Sequence, residues 1–218
     1  MSTIKLGIIT AMPAEYRCIP KPLRGFAVCG GVGQNNAATA ATKLVVEHDV
    51  DVLISMGVAG ALQSSLVVGT ALNIREVIDS RSGESFPCEL IFNFPEQHTL
   101  LSSDHPISRI DNKLGLGRKF SAHAVDIESA AIARVAREHN KAFWCLRAVS
   151  DDTRHEIPEE VVQFINGDGS LLILMKTVCN RPSLMVELFY LARNYRIALR
   201  QLKKMIAHLK VASLIGEP

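Results

Sequence analysis

The sequence predicts an α/β protein made of one three-layer domain, residues 1–218, with a central mixed sheet and a long C-terminal helix. Short apolar runs rich in β-branched residues alternate with Ala-rich or amphipathic stretches, which is the order expected of alternating strands and helices. No internal repeat, low-complexity segment or linker interrupts this order. A chain of 218 residues is long enough to bury one sizeable core.

The first half of the chain supplies most of the predicted sheet. Residues 35–48 are Ala-rich with apolar positions at helical spacing, so they predict a helix. Pro87, Pro95 and Pro106 divide the segment 80–120 into short pieces. The predicted strands of this half are residues 4–11, 25–31, 51–61 and 69–79.

The second half ends in the longest predicted helix, which runs from Pro182 to about Leu209. Before it, the pattern predicts a strand at 122–128, a helix at 129–140 and a buried strand at 141–150. The apolar stripe of the long helix consists of Leu184, Leu188, Leu191, Tyr195, Leu199, Leu202, Ile206 and Leu209. The basic residues outside the stripe are Arg193, Arg196, Arg200, Lys203, Lys204 and Lys210. Such a helix fits packing on the sheet, contact with an anionic membrane surface, or a dimer contact.

Composition narrows the class of protein. Hydrophobic residues make up 48% of the chain and charged residues 21%, as in an ordinary globular protein. The formal net charge of +2 gives no electrostatic signature of a nucleic-acid partner, and none is expected. Five scattered cysteines without a CxxC pair, and no histidines at metal-ligand spacing, predict reduced thiols and no metal. The N-terminus lacks the apolar run of a signal peptide, so we expect a cytoplasmic protein.

Acidic residues follow three of the predicted strands. Ligands of open α/β sheets bind beyond the carboxyl ends of the strands, so these acids are candidates for a site. Glu15 follows the first strand, but such a residue is also compatible with a solvated surface carboxylate. Glu128 could be an acid stabilised by the first turn of a helix. The stretch "LRAVSDD" places Asp151 and Asp152 at the end of a buried strand, where they could cap a helix.

Five motifs, in order along the chain, make this sequence resemble the purine nucleoside phosphorylase and nucleosidase family. They are "GIITAMPAE", "CGGVGQNNAA", "MGVAGAL", "VDIESAAIA" and "LRAVSD". The resemblance covers about residues 4–155, and it is greatest for the 5'-methylthioadenosine/S-adenosylhomocysteine nucleosidase branch. The segment from Ser102 to Ser129 and the tail that begins at Arg181 look closer to a subgroup called hopanoid-associated phosphorylases.

The resemblance implies cleavage of the N-glycosidic bond of a purine nucleoside, with adenine as the product. Asp151 matches the family acid that protonates N7 of the purine, which is general acid catalysis. Glu128 matches the glutamate that binds the ribose hydroxyls, and Glu15 matches the carboxylate that activates water. Ser150 would support Asp151 by a hydrogen bond, and Ile127 would pack under the sugar. Backbone groups expected close to the nucleoside are those of Gly31, Val32, Gly57, Val58, Ala59 and Gly60.

Two departures from the family pattern concern the nucleophile. Val58 stands where relatives have a serine, and Ser55 stands where phosphorylases place a phosphate-binding arginine. These departures favour water over phosphate, although Arg17 or the glycine-loop amides could still form an anion site. A phosphorylase that uses phosphate as co-substrate and a non-catalytic nucleoside-binding relative remain alternatives. The resemblance also implies a homodimer and no cofactor, and it leaves a peripheral membrane contact through the basic helix open.

Overall fold

The computed structural model describes residues 4–89, 96–165 and 183–215. Its strands are β1 (Leu6–Thr10), β2 (Ala27–Cys29), β3 (Val52–Ala61), β4 (Ala71–Asp79), β5 (Ser85–Pro87), β6 (His98–Ser102), β7 (Ala124–Asp126) and β8 (Ala142–Asp151). Its helices are α1 (Pro13–Tyr16), α2 (Gln34–His48), α3 (Ile110–Phe120), α4 (Ser129–Glu138), α5 (Glu159–Ile165) and α6 (Ser183–Ile215). The predicted mixed α/β fold with a long C-terminal helix is confirmed.

Two local predictions need correction. The strand expected at 25–31 is confined to Ala27–Cys29, because a 3-10 helix with a proline in its first turn occupies Lys21–Phe26. The helix start considered at "SDD" is wrong, since β8 continues through Asp151 and Asp152 caps only a turn, where it accepts the N–H of Arg154 at 3.0 Å. The prolines at 95 and 182 lie outside the described residues.

The sheet is mixed, and five of its strands pair in a closed cycle. β3 runs parallel to β1 and β8, and β8 runs antiparallel to β4. β4 pairs in parallel with β6, and β6 with β7. The cycle closes where β7 pairs antiparallel with the last residues of β3, Gly60 opposite Val125. β1, β3 and β8 therefore end at one edge of the sheet, and the chain after β7 returns to the same edge.

Helices cover both faces of the sheet. α2 and α4 pack on one face, with a core that includes Leu44, Leu53 and Ile132. The second half of α6 packs on the other face, where Leu202 and Ile206 are fully buried. The two helical layers and the sheet between them are the three layers that the sequence predicts.

The two halves of α6 have different surroundings. The second half buries the stripe against the sheet, as the packing alternative expects. In the first half, Leu188 and Leu191 line a cavity, and Val186 and Phe189 are each 71% exposed. The basic residues Arg193, Arg196, Arg200, Lys203 and Lys204 are all exposed, and the side chain at position 210 lies outside the described part. No helix of the described residues is both long and apolar enough to cross a membrane.

Candidate active site

A cavity of about 450 Å³ opens at the sheet edge where β1, β3 and β8 end. Its volume is in the range of small-molecule sites, and apolar side chains form most of its wall. Glu15, Glu128 and Asp151 all line it. The structure thus brings together three acids that are far apart in the sequence.

Glu15 is held by backbone donors in the turn after β1. Its Oε2 accepts the N–H groups of Ala11 at 3.2 Å and Met12 at 3.0 Å, and its Oε1 accepts that of Val58 at 3.0 Å. The residue is only 3% exposed. Burial raises the pKa of its carboxyl above the ordinary value, while the amides and the charge of Arg147 oppose that rise. Glu15 is therefore a fixed carboxylate that is able to take up a proton.

A smaller inner cavity of about 20 Å³ adjoins Glu15. Ser55, Glu128 and Arg147 also line it, so its wall is polar and charged. Thr10 lines it as well, and its buried hydroxyl has no hydrogen-bond partner within the described part of the chain. A polar space of this size holds one water molecule.

Glu128 lies between the two cavities, at the residue that precedes α4. Burial, and secondarily the charge of Asp126, raise the pKa of its carboxyl to about 7. The N–H of Gly33, which donates to Glu128 Oε1 at 3.0 Å, and the charge of Arg147 oppose the rise. The carboxyl is therefore poised to change its charge near neutral pH.

The glycine loop "GGVG", residues 30–33, donates a backbone hydrogen bond to Glu128. Gly31 and Gly33 have φ angles of +95° and +101°, which side chains rarely adopt. This conformation directs the Gly33 N–H at Glu128. At least this amide is engaged by a carboxylate, so it is not free to bind an anion.

Asp151 ends β8 with two hydrogen-bonding partners. Ser150 Oγ donates to its Oδ1 at 2.9 Å, which is the hydrogen bond that the family resemblance implies. Lys113 of α3, a fully buried lysine, forms an ion pair with its Oδ2. The sequence analysis did not single out this lysine. The sequence does show one sign of it: Lys113 lies at helical spacing from Leu116 and Phe120, on the apolar side of α3.

Two glycines of β3 leave room for the carboxylates. A Cβ atom on Gly57 would lie 2.9 Å from Glu15 Oε1, and one on Gly60 would lie 2.8 Å from Asp151 Oδ2. Both distances are shorter than Cβ contacts in proteins allow. A side chain at either position would therefore displace the acid that packs against the strand, which is a reason for glycine independent of any ligand.

The other predicted residues divide between the two cavities. Those that line the large cavity are Val32, Val58, Ala59, Gly60, Ile127 and Ser150. Those that line the inner cavity are Gly31, Gly57 and again Val58. Arg17 lines neither, and its Nε donates to the carbonyl of Pro13 at 3.1 Å.

Arg147 is a second residue that the sequence analysis did not assign, although it stands inside "LRAVSD". It is 2% exposed and pairs with Asp126, with Nη2 2.6 Å from Oδ2. The same nitrogen donates to Ser55 and Ser129, and Nη1 donates to the carbonyl of Leu146. The charge of the guanidinium is thus balanced by Asp126, and most of its N–H groups already bind protein atoms.

Within the described residues, no group of His, Cys, Asp and Glu side chains could hold a metal ion.

The mixed sheet and the acid-lined cavity define an α/β protein with a site for a small organic ligand. Residues 23–98 and 95–169 match the phosphorylase superfamily, and together they cover more than half of the chain. The chain belongs to the phosphorylase superfamily, which confirms the family resemblance.

Relatives and solved structures agree with this assignment. The 5'-methylthioadenosine/S-adenosylhomocysteine nucleosidase of Treponema pallidum is 28% identical over 57% of this chain, and that of Staphylococcus aureus is 29% identical over 56%. The chain spans 65% of the length of these curated relatives.

Among solved structures, the corresponding nucleosidase of Neisseria meningitidis, in complex with methylthio-immucillin-A, has a TM-score of 0.69 at 20% identity and covers 94% of this chain and 97% of its own. A futalosine hydrolase mutant of Helicobacter pylori has a TM-score of 0.57 at 17% identity, covering 67% of this chain and 89% of its own. At these identities the two structures show the shared fold.

The raised pKa of Glu128 is directly testable. We expect one glutamate carboxyl resonance of the ¹³C-labelled protein to titrate at about pH 7, protonated below and ionised above. Glu128→Gln should remove that resonance, whereas Glu47→Gln, at an exposed position of α2, should leave it in place. Persistence of the titration in Glu128→Gln would assign it to another carboxyl.

Proposed function

We propose that this protein hydrolyses the N-glycosidic bond of a 5'-modified adenosine and releases adenine. The observation that carries this proposal is the convergence of Glu15, Glu128 and Asp151 on one cavity, with a water-sized space beside Glu15. The names of the curated relatives, all nucleosidases, support it. The reaction needs no cofactor, in keeping with the superfamily.

Asp151 is the proposed general acid. An adenine anion is a poor leaving group, so protonation of N7 as the C1'–N9 bond breaks contributes about 10²–10⁴-fold in rate. Asp151 lines the cavity at the end of β8, and Ser150 fixes the orientation of its carboxyl. The family resemblance implies that this carboxyl carries the proton, and in the structure it also has a cationic partner, Lys113.

Glu128 is the proposed ligand of the ribose. As a carboxylate it can accept hydrogen bonds from both the 2'- and 3'-hydroxyls, and its negative charge stabilises the oxocarbenium-like sugar that forms when the bond breaks. The carboxylate form prevails above about pH 7. Ile127, which lines the large cavity beside it, provides an apolar surface for the sugar ring.

Glu15 is the proposed base that activates water in the inner cavity. A phosphate dianion in its place would lie against Glu15 and Glu128, and its desolvation requires cationic or N–H donors. Val58 has no side-chain donor, and Arg147 already pairs with Asp126. These contacts favour hydrolysis over phosphorolysis, the alternative that the subgroup name suggests.

Turnover in phosphate-free buffer tests this choice. We expect adenine and 5-methylthioribose from 5'-methylthioadenosine, at a rate indifferent to added phosphate. Glu15→Gln should lower the rate by about 10²-fold or more, because it removes the base. Glu89→Gln, at an exposed position, is the matched control. A requirement for phosphate with a 5-methylthioribose 1-phosphate product would establish a phosphorylase, and binding without adenine release would establish a non-catalytic relative.

The 5' group of the substrate is proposed to be an extended apolar chain. The wall of the large cavity includes Met12, Ile107 and Val161, and α6 adds Leu188 and Leu191. A cavity of about 450 Å³ has room for more than a methylthio group. This wall supports the likeness to hopanoid-associated enzymes, and hence a role in hopanoid biosynthesis, as a proposal.

A series of 5'-substituted adenosines tests the apolar end. Each buried methylene contributes about 0.8 kcal/mol, so a butylthio group should lower KM well over tenfold relative to a methylthio group. Leu191→Asn should reduce this difference in KM between the two substrates. Val67→Asn, at an exposed position, should leave the difference unchanged. Adenosine outperforming every 5'-alkyl analogue would contradict the proposal.

We propose that the exposed apolar residues at the start of α6 form the contact of a homodimer. Met185, Val186 and Phe189 are 59–71% exposed, on the helix whose other residues line the cavity. Large apolar side chains grouped on a surface mark interaction sites.

The four described cysteines are free, which supports a cytoplasmic location.

Sedimentation measures this assembly. We expect a dimer that Val186→Ser with Phe189→Ser converts to a monomer, while Val46→Ser, an exposed residue of α2, leaves it intact. A monomer that instead pellets with anionic phospholipid vesicles, and loses this on Arg193→Gln with Arg196→Gln, would assign the helix to a membrane surface.

A further inference from the structure

Lys113 is an ammonium enclosed by protein next to the proposed acid. Its side chain is fully buried, it forms an ion pair with Asp151 Oδ2, and it donates to the carbonyl of Asp152 at 3.2 Å. The carboxylate of Asp152 pairs instead with Arg154 and His155. Among the described residues, Asp151 is thus the anion that compensates the buried lysine.

The fold brings α3 unusually close to the end of β3 at this point. A Cβ atom on Gly117 would lie 2.6 Å from the carbonyl oxygen of Leu62, so only glycine allows this approach. Lys113 precedes Gly117 by one helical turn and shares its face of α3. The close packing therefore holds the ammonium against Asp151.

Burial of a lysine is costly, and a buried ion pair is weak evidence for stability. Ser150 already orients Asp151 Oδ1, so orientation does not require a charge on the other oxygen. In the ion pair Asp151 is a carboxylate, and a carboxylate has no proton to donate to a purine. The pair Lys113–Asp151 nevertheless holds one transferable proton, on Lys113.

We propose that Lys113 is the source of the proton that Asp151 delivers to the leaving purine, an inference that rests on the proposed function. As the C1'–N9 bond breaks, its electron pair moves onto the purine. Lys113 transfers its proton to the Asp151 carboxylate, and the carboxylic acid that forms transfers this proton to N7. Water adds to C1' and loses a proton to Glu15. Adenine leaves neutral, Asp151 is again ionised, and the neutral amine of Lys113 regains a proton from solvent through Asp151. Lys113 does not line the cavity and acts through Asp151, so it is a positioning residue.

Two variants separate proton supply from charge. Lys113→Met removes both the positive charge and the transferable proton. Lys113→Arg keeps the positive charge but cannot give up a proton, because guanidinium does not deprotonate in proteins. Lys119→Met, at an exposed position of the same helix, is the matched control. Circular dichroism and thermal midpoints identify any variant that fails to fold, and Lys113→Arg preserves the ion pair if Lys113→Met does not fold.

Two substrates distinguish acid catalysis from structural damage. Adenine must be protonated to leave, whereas 4-nitrophenolate leaves from its riboside without a proton. We expect both Lys113 variants to lower kcat on 5'-methylthioadenosine by about 10²-fold, with less than about threefold loss on the nitrophenyl riboside and little change in KM.

Equal losses on both substrates, or a wild-type rate in Lys113→Arg, would overturn the inference and leave the proposed function standing. A wild-type protein that releases no adenine from any 5'-substituted adenosine would overturn the proposed function, and the inference with it. Asp151→Asn is the reference for complete loss of acid catalysis, and the Lys113 variants should approach its kcat.

Discussion

Three carboxylates share one cavity, Glu15 buried and Glu128 and Asp151 partly buried, and much of the local structure compensates for their lost hydration. Each acid has a different partner. Glu15 takes three backbone N–H groups, Glu128 takes the N–H of Gly33, and Asp151 takes a buried ammonium. Burial raises the pKa of the Glu15 and Glu128 carboxyls, and different backbone donors oppose that rise at each of them. The proposed roles of Glu15 as base and Asp151 as acid rest on these different surroundings.

The backbone around the site follows from these partnerships. β3 carries glycine at positions 57 and 60, where a side chain would displace Glu15 or Asp151. The glycine loop adopts positive φ angles and directs an amide at Glu128. α3 approaches the end of β3 through Gly117, which places Lys113. The sequence indicates a ligand-binding role for the glycines of β3 and of the glycine loop. In the structure these glycines also make room for the carboxylates of the protein itself or donate to them.

Alternation of apolar runs predicted the fold well, because strand and helix periods are local properties of a sequence. The three acids were also predictable, since each follows a strand and matches a family motif. Lys113 and the Arg147–Asp126 pair were not, because a cation within an apolar pattern does not reveal which anion it meets in the fold. The different surroundings of the two halves of α6 depend equally on tertiary contacts, as its stripe continues unchanged from Leu188 to Leu209.

The charge balance of the inner cavity bears most directly on the chemistry. Arg147 would be the natural ligand of a phosphate, but Asp126 already neutralises it at 2.6 Å, and Glu15 and Glu128 add negative charge. A neutral nucleophile enters such a space at little electrostatic cost, whereas a dianion would be repelled by the carboxylates of Glu15 and Glu128. A water molecule also fits this cavity of about 20 Å³. The charge of this cavity therefore favours water as the proposed nucleophile, and the substitution of Val58 for a hydroxyl residue is consistent with that proposal.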